Sequence, residues 1–457
     1  MAANASGNPS DRLTLVRGEN HCVWDVEGRR YLDALSGAFC VQLGYTRPDL
    51  LRAMSDAAAR LPFARAAKFE SEESSGYARE LLAAAGPHFT SVLFTSSGSE
   101  AVDVALKVAF RYQRAAGRPD RTGIAHLRGH YHGATLGALR VTDYRARREA
   151  YDAMLGREPV GPSAYCKRCF RGLSFPSCDL ACADAAFAAE PRIEAALPVA
   201  EAEPAAIILE TIPAAGLGAP VPPPGYLARI RHWCDLHGAL WIADEVLTGF
   251  GRVGALFAWQ RLAERAEELG ATPDVAVFGK GAGAGFAPLG GVLLSARVAH
   301  ALDTEPGAAF AHAQTYGGNP IACAVGRRVL AAIREERVFA HVREAERALH
   351  EVLRPLTAHP HVSDLRGLGF LWGVEIVEDR ASGRSFPRTS RVAERLEAAC
   401  RERGVLIYAG TGCADGERGD FALIAPPLTA DKAVFPAIAT ALGDAICEVT
   451  ESGARKG

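Results

Sequence analysis

Short apolar runs alternate with longer amphipathic stretches between residues 90 and 295, and this alternation most limits the folds open to the chain. Two of the longer stretches, Glu100–Gln113 and Pro222–His237, predict helices. Six runs are short, apolar and bounded by Gly, Pro or Asp, which predicts buried strands: Ser91–Phe94, Gly123–Leu127, Ala205–Glu210, Ala239–Asp244, Val275–Phe278 and Gly290–Leu294. The rhythm is typical of an α/β fold with a mostly parallel sheet covered by helices.

The pattern changes after about residue 320. A long helical segment, Ile321–Leu353, precedes a Gly-punctuated β-like block, Gly367–Val377, and another helix, Arg388–Arg403, which together predict a C-terminal α+β lobe. Near the other end, Asn20–Leu43 predicts a hairpin with Glu27-Gly28 as its turn, packed on that lobe. We therefore predict an N-terminal segment at 1–60, a large domain at 61–325 and a small domain at 326–457.

Charge and hydropathy exclude several classes of function. The 457 residues carry 51 Lys+Arg against 53 Asp+Glu, a formal charge of -2, which argues against a broad surface for nucleic acid or anionic membrane. The first residues lack the apolar region of a secretory signal. The apolar runs, such as Ala205–Leu209, are far shorter than the roughly 18 residues of a membrane span. We expect a cytoplasmic protein without nucleic-acid or membrane partners.

Two clusters follow predicted strands and carry groups that suit an anionic ligand with a cationic ring. Thr95–Glu100 begins a helix, where backbone N–H groups and hydroxyls can bind a phosphate, although such turns more often only cap the helix. In Trp241–Val246 an apolar strand runs into Asp244 and Glu245, and the carboxyl ends of parallel strands are where α/β proteins bind ligands. The alternative for these acids is a helix cap or a solvent-facing position.

Two further clusters supply an amine and an aromatic ring. Lys280 ends an apolar strand and precedes glycines, and desolvation there makes an amine nucleophilic towards carbonyl groups. Asp274 occupies the position where a phosphate-binding Walker loop needs glycine, which argues against a nucleotide-binding loop here. Tyr131, in the turn Arg128–Gly133, can stack on a flat ring, although a structural role is commoner for such a residue. A phosphate, a ring nitrogen, a flat ring and an aldehyde occur together in pyridoxal phosphate.

At these residues the sequence resembles the class III, or omega, aminotransferases of the fold-type I pyridoxal-phosphate enzymes. The resemblance spans about residues 17 to 445. It is carried by six motifs: TSSGSEA at Thr95–Ala101, Tyr131-His132-Gly133, IADEVLTGFG at Ile242–Gly251, Gly279-Lys280-Gly281, TYGGNPIA at Thr315–Ala322 and Ala425-Pro426-Pro427-Leu428. It implies a large domain with a mostly parallel seven-stranded sheet, a smaller α+β domain and a homodimer with shared active sites.

The resemblance also implies roles for individual residues. Lys280 would bind the cofactor covalently and then act as the general base, and Asp244 would keep the ring nitrogen protonated. Val246 and Tyr131 would pack on opposite ring faces. The residues implied to bind the cofactor are Ser97, Gly98, Ser99, Tyr131, His132, Glu210, Asp244, Val246, Lys280 and, from the neighbouring subunit, Thr315.

Departures from relatives bear on the substrate. Leu247 stands where ornithine- and 4-aminobutyrate-type members carry Gln, and Thr211 stands where Pro usually follows Glu210. Agreement is better with the omega-amino acid:pyruvate and taurine:pyruvate type, which implies Phe39 as a substrate contact. Arg418, with its planar fork, is the expected handle for a carboxylate, against the alternative of a solvated loop arginine.

The expected reaction moves an amino group from an amine or omega-amino acid to a keto acid such as pyruvate. The same fold and cofactor also serve aminomutases, epimerases and decarboxylating transaminases, which one sequence does not separate from this activity. A non-enzymatic regulator or zinc-binding interaction protein is a further alternative, disfavoured by the intact pair of Lys280 and Asp244.

Four of the eleven cysteines lie close together in the sequence: Cys166, Cys169, Cys178 and Cys182. Four thiolates at this spacing could form a tetrahedral zinc site that holds the long Tyr165–Cys182 insertion in place. Free thiols and disulfides are the alternatives. The other seven cysteines are expected to be small core residues.

Overall fold

The computed structural model describes residues 12–156, 158–185, 203–304 and 312–454. Its strands are β1 Leu15–Glu19, β2 Cys22–Asp25, β3 Arg30–Asp33, β4 Phe89–Thr95, β5 Ile124–Leu127, β6 Val160–Gly161, β7 Ala206–Glu210, β8 Leu240–Asp244, β9 Val275–Phe278, β10 Gly290–Ser295, β11 Val362–Leu368, β12 Leu371–Ile376, β13 Val405–Leu406, β14 Tyr408–Gly410 and β15 Asp420–Ile424. Its α-helices are α1 Ser36–Phe39, α2 Pro48–Arg60, α3 Glu72–Ala85, α4 Gly98–Ala115, α5 Leu136–Arg140, α6 Arg145–Arg148, α7 Asp152–Leu155, α8 Ala181–Ala185, α9 Tyr226–His237, α10 Ala258–Leu262, α11 Ala296–Thr304, α12 Pro320–Glu335, α13 Val338–Leu353, α14 Val392–Glu402 and α15 Phe435–Ala454.

The central sheet has seven strands in the order β4-β10-β9-β8-β7-β5-β6. Strands β9, β8, β7, β5 and β6 pair parallel to one another, whereas β10 runs antiparallel to both of its neighbours. The predicted mostly parallel α/β sheet is confirmed, and all six predicted strands are present with ends shifted by at most two residues. The two-residue edge strand β6 was missed, because so short a segment has no periodicity to read.

Both faces of the sheet are buried, which explains why its inner strands are continuous apolar runs. Ala206, Ile208 and Ile242 pack with helix α4 on one face. Ile207 and Trp241 pack with helix α9 on the other. Because side chains alternate along a strand, the residues that end β7 and β8 point to the α4 face.

Two smaller sheets complete the fold. The antiparallel sheet β11-β12-β15-β14 belongs to the predicted C-terminal lobe, and the sheet β1-β2-β3-β13 joins the N-terminal strands to it, with β3 parallel to β13. The predicted turn at Glu27-Gly28 is present between β2 and β3, with Gly28 at a φ of 81°. The prediction of a single hairpin to Leu43 is wrong, because β1 forms a second hairpin with β2 and the chain after β3 leaves the sheet.

Three predicted helix boundaries are also wrong. The single helix Ile321–Leu353 is two helices, α12 and α13, separated by Arg337 at a φ of 53°. Both helices bury one apolar face, so the hydrophobic period runs through the break and hides it. Helix α9 begins at Tyr226, after Gly225 at a φ of 84°, and not at Pro222. Helix α14 begins at Val392, after a short 3₁₀ turn at Arg388–Ser390.

One described segment, Lys432–Glu451, is long and apolar enough by composition to cross a membrane, with a mean hydropathy of 1.4. The expectation that apolar stretches stay far below that length therefore missed it. Helix α15 begins within this segment and makes up most of it, and its Phe435, Ile438, Leu442 and Ile446 belong to the main hydrophobic core. The core helix of a globular fold meets the same criterion.

Candidate active site

Lys280 follows strand β9 directly and begins a short 3₁₀ turn. Its φ of 41° is unusual for a residue with a side chain, and such strain persists where surrounding structure imposes it. Burial lowers the pKa of Lys280, while the charges of Asp244 and Glu210 oppose that effect. The Phe39 ring centre lies 5.5 Å from Nζ. The residue therefore presents a partly desolvated amine beside an aromatic ring.

Asp244 ends strand β8 and is 4% exposed. One carboxylate oxygen, Oδ2, lies 2.7 Å from Nδ1 of His132, and the other accepts a hydrogen bond of 3.0 Å from the Val246 amide. The carboxylate is thereby held at the carboxyl end of the sheet, on the α4 face. The motif that the sequence singled out as Tyr131-His132-Gly133 meets it there.

Glu210 ends strand β7, next to Asp244 in the parallel register. Its carboxylate accepts hydrogen bonds from the amides of Tyr131 at 2.9 Å and Ala214 at 3.3 Å. Burial raises the pKa of Glu210 to about 7; the His132 side chain lowers it and the Asp244 charge raises it further. A carboxyl of this pKa changes its charge near neutral pH, directly beside Asp244.

Glu245, the second acid of the pair, has a structural role. Being one residue on from Asp244, it points to the opposite side, where it accepts hydrogen bonds from Thr211 and Thr248 at 2.7 and 2.6 Å. It also accepts from the amides of Ala258 and Trp259, at the start of α10. The capping alternative is thus right for Glu245, and Thr211, which departs from relatives, is its partner.

The start of α4 lies against the turn that carries Lys280. A Cβ on Gly98 would come within 2.7 Å of Val246 Cγ1, and a Cβ on Gly279 within 3.2 Å of the Gly98 backbone. Ser97 caps the helix by accepting from the Glu100 amide, and Ser99 Oγ accepts from the Ala134 amide at 3.0 Å. Glycine is required here because two segments of backbone approach closely.

An aromatic wall continues outward from Phe39. The Phe39 and Tyr408 ring centres are 6.1 Å apart, and the hydroxyls of Tyr408 and Tyr144 are 3.2 Å apart. Tyr144 in turn meets Tyr131 edge to face at 6.3 Å. Tyr144 and Tyr408 were not predicted from the sequence, since they come from distant segments and no local motif marks them.

Two predicted site residues lie in exposed segments. Thr315 is exposed in a turn with Tyr316. Arg418 has a side chain 58% exposed and donates from Nε to Asp415 Oδ2 at 2.7 Å. Its loop is tied to helix α6 by an ion pair between Glu417 and Arg145. The predicted roles of Thr315 and Arg418 remain predictions.

The zinc prediction finds no support. Cys166, Cys169, Cys178 and Cys182 line one pocket, but no group of three or more His, Cys, Asp or Glu residues within the described ranges is arranged to hold a metal. All eleven cysteines, which fall in those ranges, are free thiols. Burial, together with the nearby Cys166, Cys169 and Cys178, raises the pKa of Cys182 to about 12.

The Tyr165–Cys182 insertion has a different anchor. Tyr165 Oη donates to Glu375, and Arg168 forms an ion pair with the same carboxylate. Glu375 is fully buried in β12 and also pairs with Arg366. The insertion is therefore attached to the β11-β12-β15-β14 sheet by a charged network.

Comparison with known proteins places the chain in one family. The family model described as aminotransferase class-III matches residues 3–446. The omega-aminotransferase of Caulobacter vibrioides is 32% identical, with 89% of this chain and 87% of the relative covered. The (S)-enantioselective omega-transaminase of Thermomicrobium roseum superposes with a TM-score of 0.86 at 32% identity, over 98% of this chain and 96% of that one. An amine transaminase from an uncultivated Pseudomonas species, in its PLP-bound form, gives a TM-score of 0.85 at 28% identity over 98% of both chains.

These matches agree with the geometry at the carboxyl ends of β7, β8 and β9. The family works with pyridoxal phosphate, and the solved neighbours share the fold-type I architecture over nearly the whole chain. The chain belongs to the class III aminotransferases and is an enzyme that transfers amino groups with pyridoxal phosphate.

Proposed function

We propose that the enzyme moves an amino group from an amine or omega-amino acid to a keto acid such as pyruvate, as a cytoplasmic homodimer with Lys280 as its catalytic amine. The observation that carries the proposal is the convergence of three side chains at adjacent strand ends. Glu210, Asp244 and Lys280 end or follow β7, β8 and β9, beside the start of α4. This is the edge of the sheet where α/β proteins bind ligands.

The groups present fit pyridoxal phosphate. The Lys280 amine, whose pKa burial lowers, suits an aldehyde, and the buried Asp244 carboxylate suits a protonated ring nitrogen. Gly98 and Ser99, at the start of the eighteen-residue helix α4, suit a phosphate. Val246 occupies the space that a side chain on Gly98 would fill, so the start of α4 and the segment after β8 are in contact.

When bound, pyridoxal phosphate supplies an electron sink that stabilises negative charge on the substrate carbon. Lys280 would hold the cofactor, and its free amine would serve as the general base that takes the proton from the substrate carbon. Asp244 would be the partner of the cofactor's ring nitrogen, and His132 orients that carboxylate through the 2.7 Å contact. Phe39 and the buried strand ends exclude water from the amine.

The aromatic wall supports a donor with an apolar body. Phe39 lies beside Lys280, and Tyr408, Tyr144 and Tyr131 continue the wall from it in a chain of contacts. Aromatic faces favour flat or aliphatic groups. A carboxylate on the donor or acceptor needs a cation as well. Arg418 is the proposed cation, and to serve it must exchange its pairing with Asp415 for the substrate.

The proposed site is tested by Lys280→Ala. We expect no net amino transfer from a panel of amines to pyruvate and no absorbance from lysine-bound cofactor, because no other amine occupies that position. Lys432→Ala, at an exposed lysine, is the matched control and should behave as the unaltered enzyme. Turnover by Lys280→Ala would overturn the site assignment. The proposed reaction would be overturned if the unaltered enzyme bound the cofactor and converted an amine without transferring its amino group to any keto acid.

The carboxylate handle is tested by Arg418→Ala. We expect KM for pyruvate to rise about tenfold or more, since a charge-assisted pair is lost, with little change in KM for a carboxylate-free amine. Equal effects on both substrates would contradict the proposal. Arg347→Ala, at a surface arginine paired with Glu351, is the control.

A further inference from the structure

His126, in the middle of β5, is fully buried, and neither of its ring nitrogens has a hydrogen-bond partner among the described residues. Buried polar groups are almost always hydrogen-bonded to protein or to ordered water, since an unmade bond costs about 1–3 kcal/mol. Burial lowers the pKa of His126, and the nearby His132 and Arg148 lower it further. The ring is therefore neutral, with one donor and one acceptor to satisfy.

The position of His126 in the sheet places it behind the active site. Ile124 packs on the α4 face of the sheet, so His126, two residues on, shares that face. The register of β5 on β7 aligns Ala125 with Ile207, which sets His126 level with Ile208. Glu210 and Asp244 lie on the same face, one step further towards the carboxyl ends of their strands.

His132 contacts Asp244 and also acts electrostatically on His126. Its Nδ1 is 2.7 Å from Asp244 Oδ2, and its Nε2 is buried without a partner among the described residues. A neutral histidine carries its proton on one nitrogen, and the hydrogen bond made by the other nitrogen decides which. When Nδ1 of a neutral His132 donates to Asp244, its Nε2 carries a lone pair that requires a donor.

Other titratable groups near His126 and His132 already have hydrogen-bond partners. His130 Nδ1 accepts from the Glu210 amide at 3.0 Å, and its ring centre is 6.0 Å from that of His132. Arg148 donates to the carbonyl of Thr142 at 2.8 Å. The charged and titratable groups that act on His126, His130 or His132, or that share their face of the sheet, are Arg148, Glu210, Asp244 and Lys280.

We propose that His126 is a positioning residue for amino transfer: through a water shared with Nε2 of His132, it holds His132 in the tautomer that donates from Nδ1 to Asp244. One ring nitrogen of His126 and Nε2 of His132, both buried and without a partner among the described residues, supply two of the two to four polar partners that a buried water requires. Without the shared water, His132 can place its proton on Nε2, and the Nδ1 lone pair then faces the carboxylate of Asp244. The inference rests on the proposed function in that Asp244 is the group that faces the cofactor ring.

The first test needs no cofactor. The ring nitrogens of His132 are observed by ¹⁵N NMR in cofactor-free protein labelled with ¹⁵N-histidine, for the unaltered chain, His126→Leu and His126→Asn. We expect the Nδ1–H tautomer in the unaltered chain and in His126→Asn, whose amide can still bind the water, and a shift towards Nε2–H in His126→Leu. An unchanged tautomer in His126→Leu would overturn the inference and would leave the proposed function standing.

The second test follows the cofactor. In His126→Leu we expect pyridoxal phosphate to bind about fivefold more weakly, the equivalent of one hydrogen bond, and the pH midpoint of the cofactor absorbance to move. His126→Asn should restore both. His361→Leu removes a histidine whose Nδ1 donates to the Val377 carbonyl at 2.9 Å in the β11–β12 region, and it should change neither. If His126→Leu does not fold, His126→Asn and His126→Phe make the same comparison, and identical midpoints in those two variants would refute the role.

Discussion

At the scale of single residues, neighbours in the sequence serve opposite purposes. Asp244 and Glu245 follow one another, yet Asp244 faces His132 on the ligand side and Glu245 binds two hydroxyls and two amides on the other. The separation follows from strand geometry, because consecutive side chains point to opposite faces. A pair of acids at a strand end thus contains one residue for chemistry and one for structure.

The two acids should respond differently to loss of charge. We expect Asp244→Asn to lower kcat by about 100- to 1000-fold, since a preorganised charge beside the ring nitrogen is lost, with little effect on thermal unfolding. Glu245→Gln should retain the cofactor spectrum but lower the free energy of unfolding by about 1–3 kcal/mol, because two of its four donors lose an acceptor. Steady-state kinetics and urea unfolding measure the two effects. Similar losses of activity in both variants would refute the division of roles.

Glu210 should impose a pH dependence on stability. Its carboxyl has a pKa of about 7 in the folded chain, above its ordinary value, so the folded state takes up a proton more readily than the unfolded state. The free energy of unfolding therefore falls as pH rises from about 4.5, the ordinary pKa of a glutamate, to about 7. The fall is up to about 1.4 kcal/mol per pH unit, and it levels off above about pH 7.

Urea unfolding of cofactor-free Glu210→Gln, between about pH 5 and pH 8, checks this sign, because glutamine does not titrate. We expect the variant to gain stability relative to the unaltered chain as pH rises. Glu267→Gln, at an exposed carboxyl, is the control and should follow the unaltered chain at every pH. A constant difference between Glu210→Gln and the unaltered chain would contradict the raised pKa.

At the scale of elements, the start of α4 and the turn after β9 form the two sides of the proposed cofactor site. The elements meet at Gly98, Val246 and Gly279 with no room for an added side chain. The sequence motifs TSSGSEA and Gly279-Lys280-Gly281 are far apart in the chain, and they are adjacent because β4 and β9 both flank β10. The glycines are thus required by packing between elements and not by the turn alone.

Gly98→Ala should weaken cofactor binding about tenfold, because its methyl group would lie 2.7 Å from Val246 Cγ1 and force the elements apart. Adding Val246→Ala should recover part of the loss by making room. Fluorescence titration of cofactor-free protein with pyridoxal phosphate measures both, with Val246→Ala alone as the reference. Unchanged affinity in Gly98→Ala would show that the contact does not limit the proposed cofactor site.

At the scale of the whole molecule, the site depends on parts of the chain far apart in sequence. Arg252, fully buried, donates to the carbonyls of Pro426 and Phe370 and to Ser36 Oγ, and so joins the N-terminal segment to the C-terminal part. Phe39 reaches Lys280 from that N-terminal segment. Folding of the N-terminal segment is therefore needed to place Phe39 beside Lys280, the proposed catalytic amine.

The proposed homodimer makes a prediction at the same scale. Phe69 and Tyr316 are 65% and 62% exposed, and a groove lined by Phe69, Val92, Phe94 and Gln314 lies beside the turn that holds Thr315. Exposed apolar patches of this kind mark protein interfaces. Light scattering should give twice the mass of one chain, and Phe69→Glu with Tyr316→Glu should give a single chain with weakened cofactor binding.

The control for the interface is Leu269→Glu, since Leu269 is 87% exposed and lies outside the groove. We expect this variant to keep the double mass and the cofactor. A double-glutamate variant that still assembles and binds the cofactor would contradict both the interface and the role proposed for Thr315.

Much of the inner site could be predicted because its signals are local. A strand that ends in an acid or a lysine, and a helix that begins with Ser and Gly, each carry their chemistry within a few residues. Lys280, Asp244 and the start of α4 were found in this way. Tyr408, Tyr144 and His126 were not found. The role of an aromatic or histidine residue in a strand or loop depends on neighbours that are hundreds of residues away or on the next strand.

The sequence by itself determined the parallel sheet, the family and the reactive groups at the strand ends, since alternation, glycine placement and strand-end residues act over short range. Only the tertiary structure decided that Glu245 and Thr211 are structural, that Arg418 is paired with Asp415, and that the four clustered cysteines line a pocket without an arrangement of metal ligands among the described residues. The physical reason is that burial and partner geometry belong to contacts between distant segments. Those contacts determine the partners of each side chain and its state of protonation.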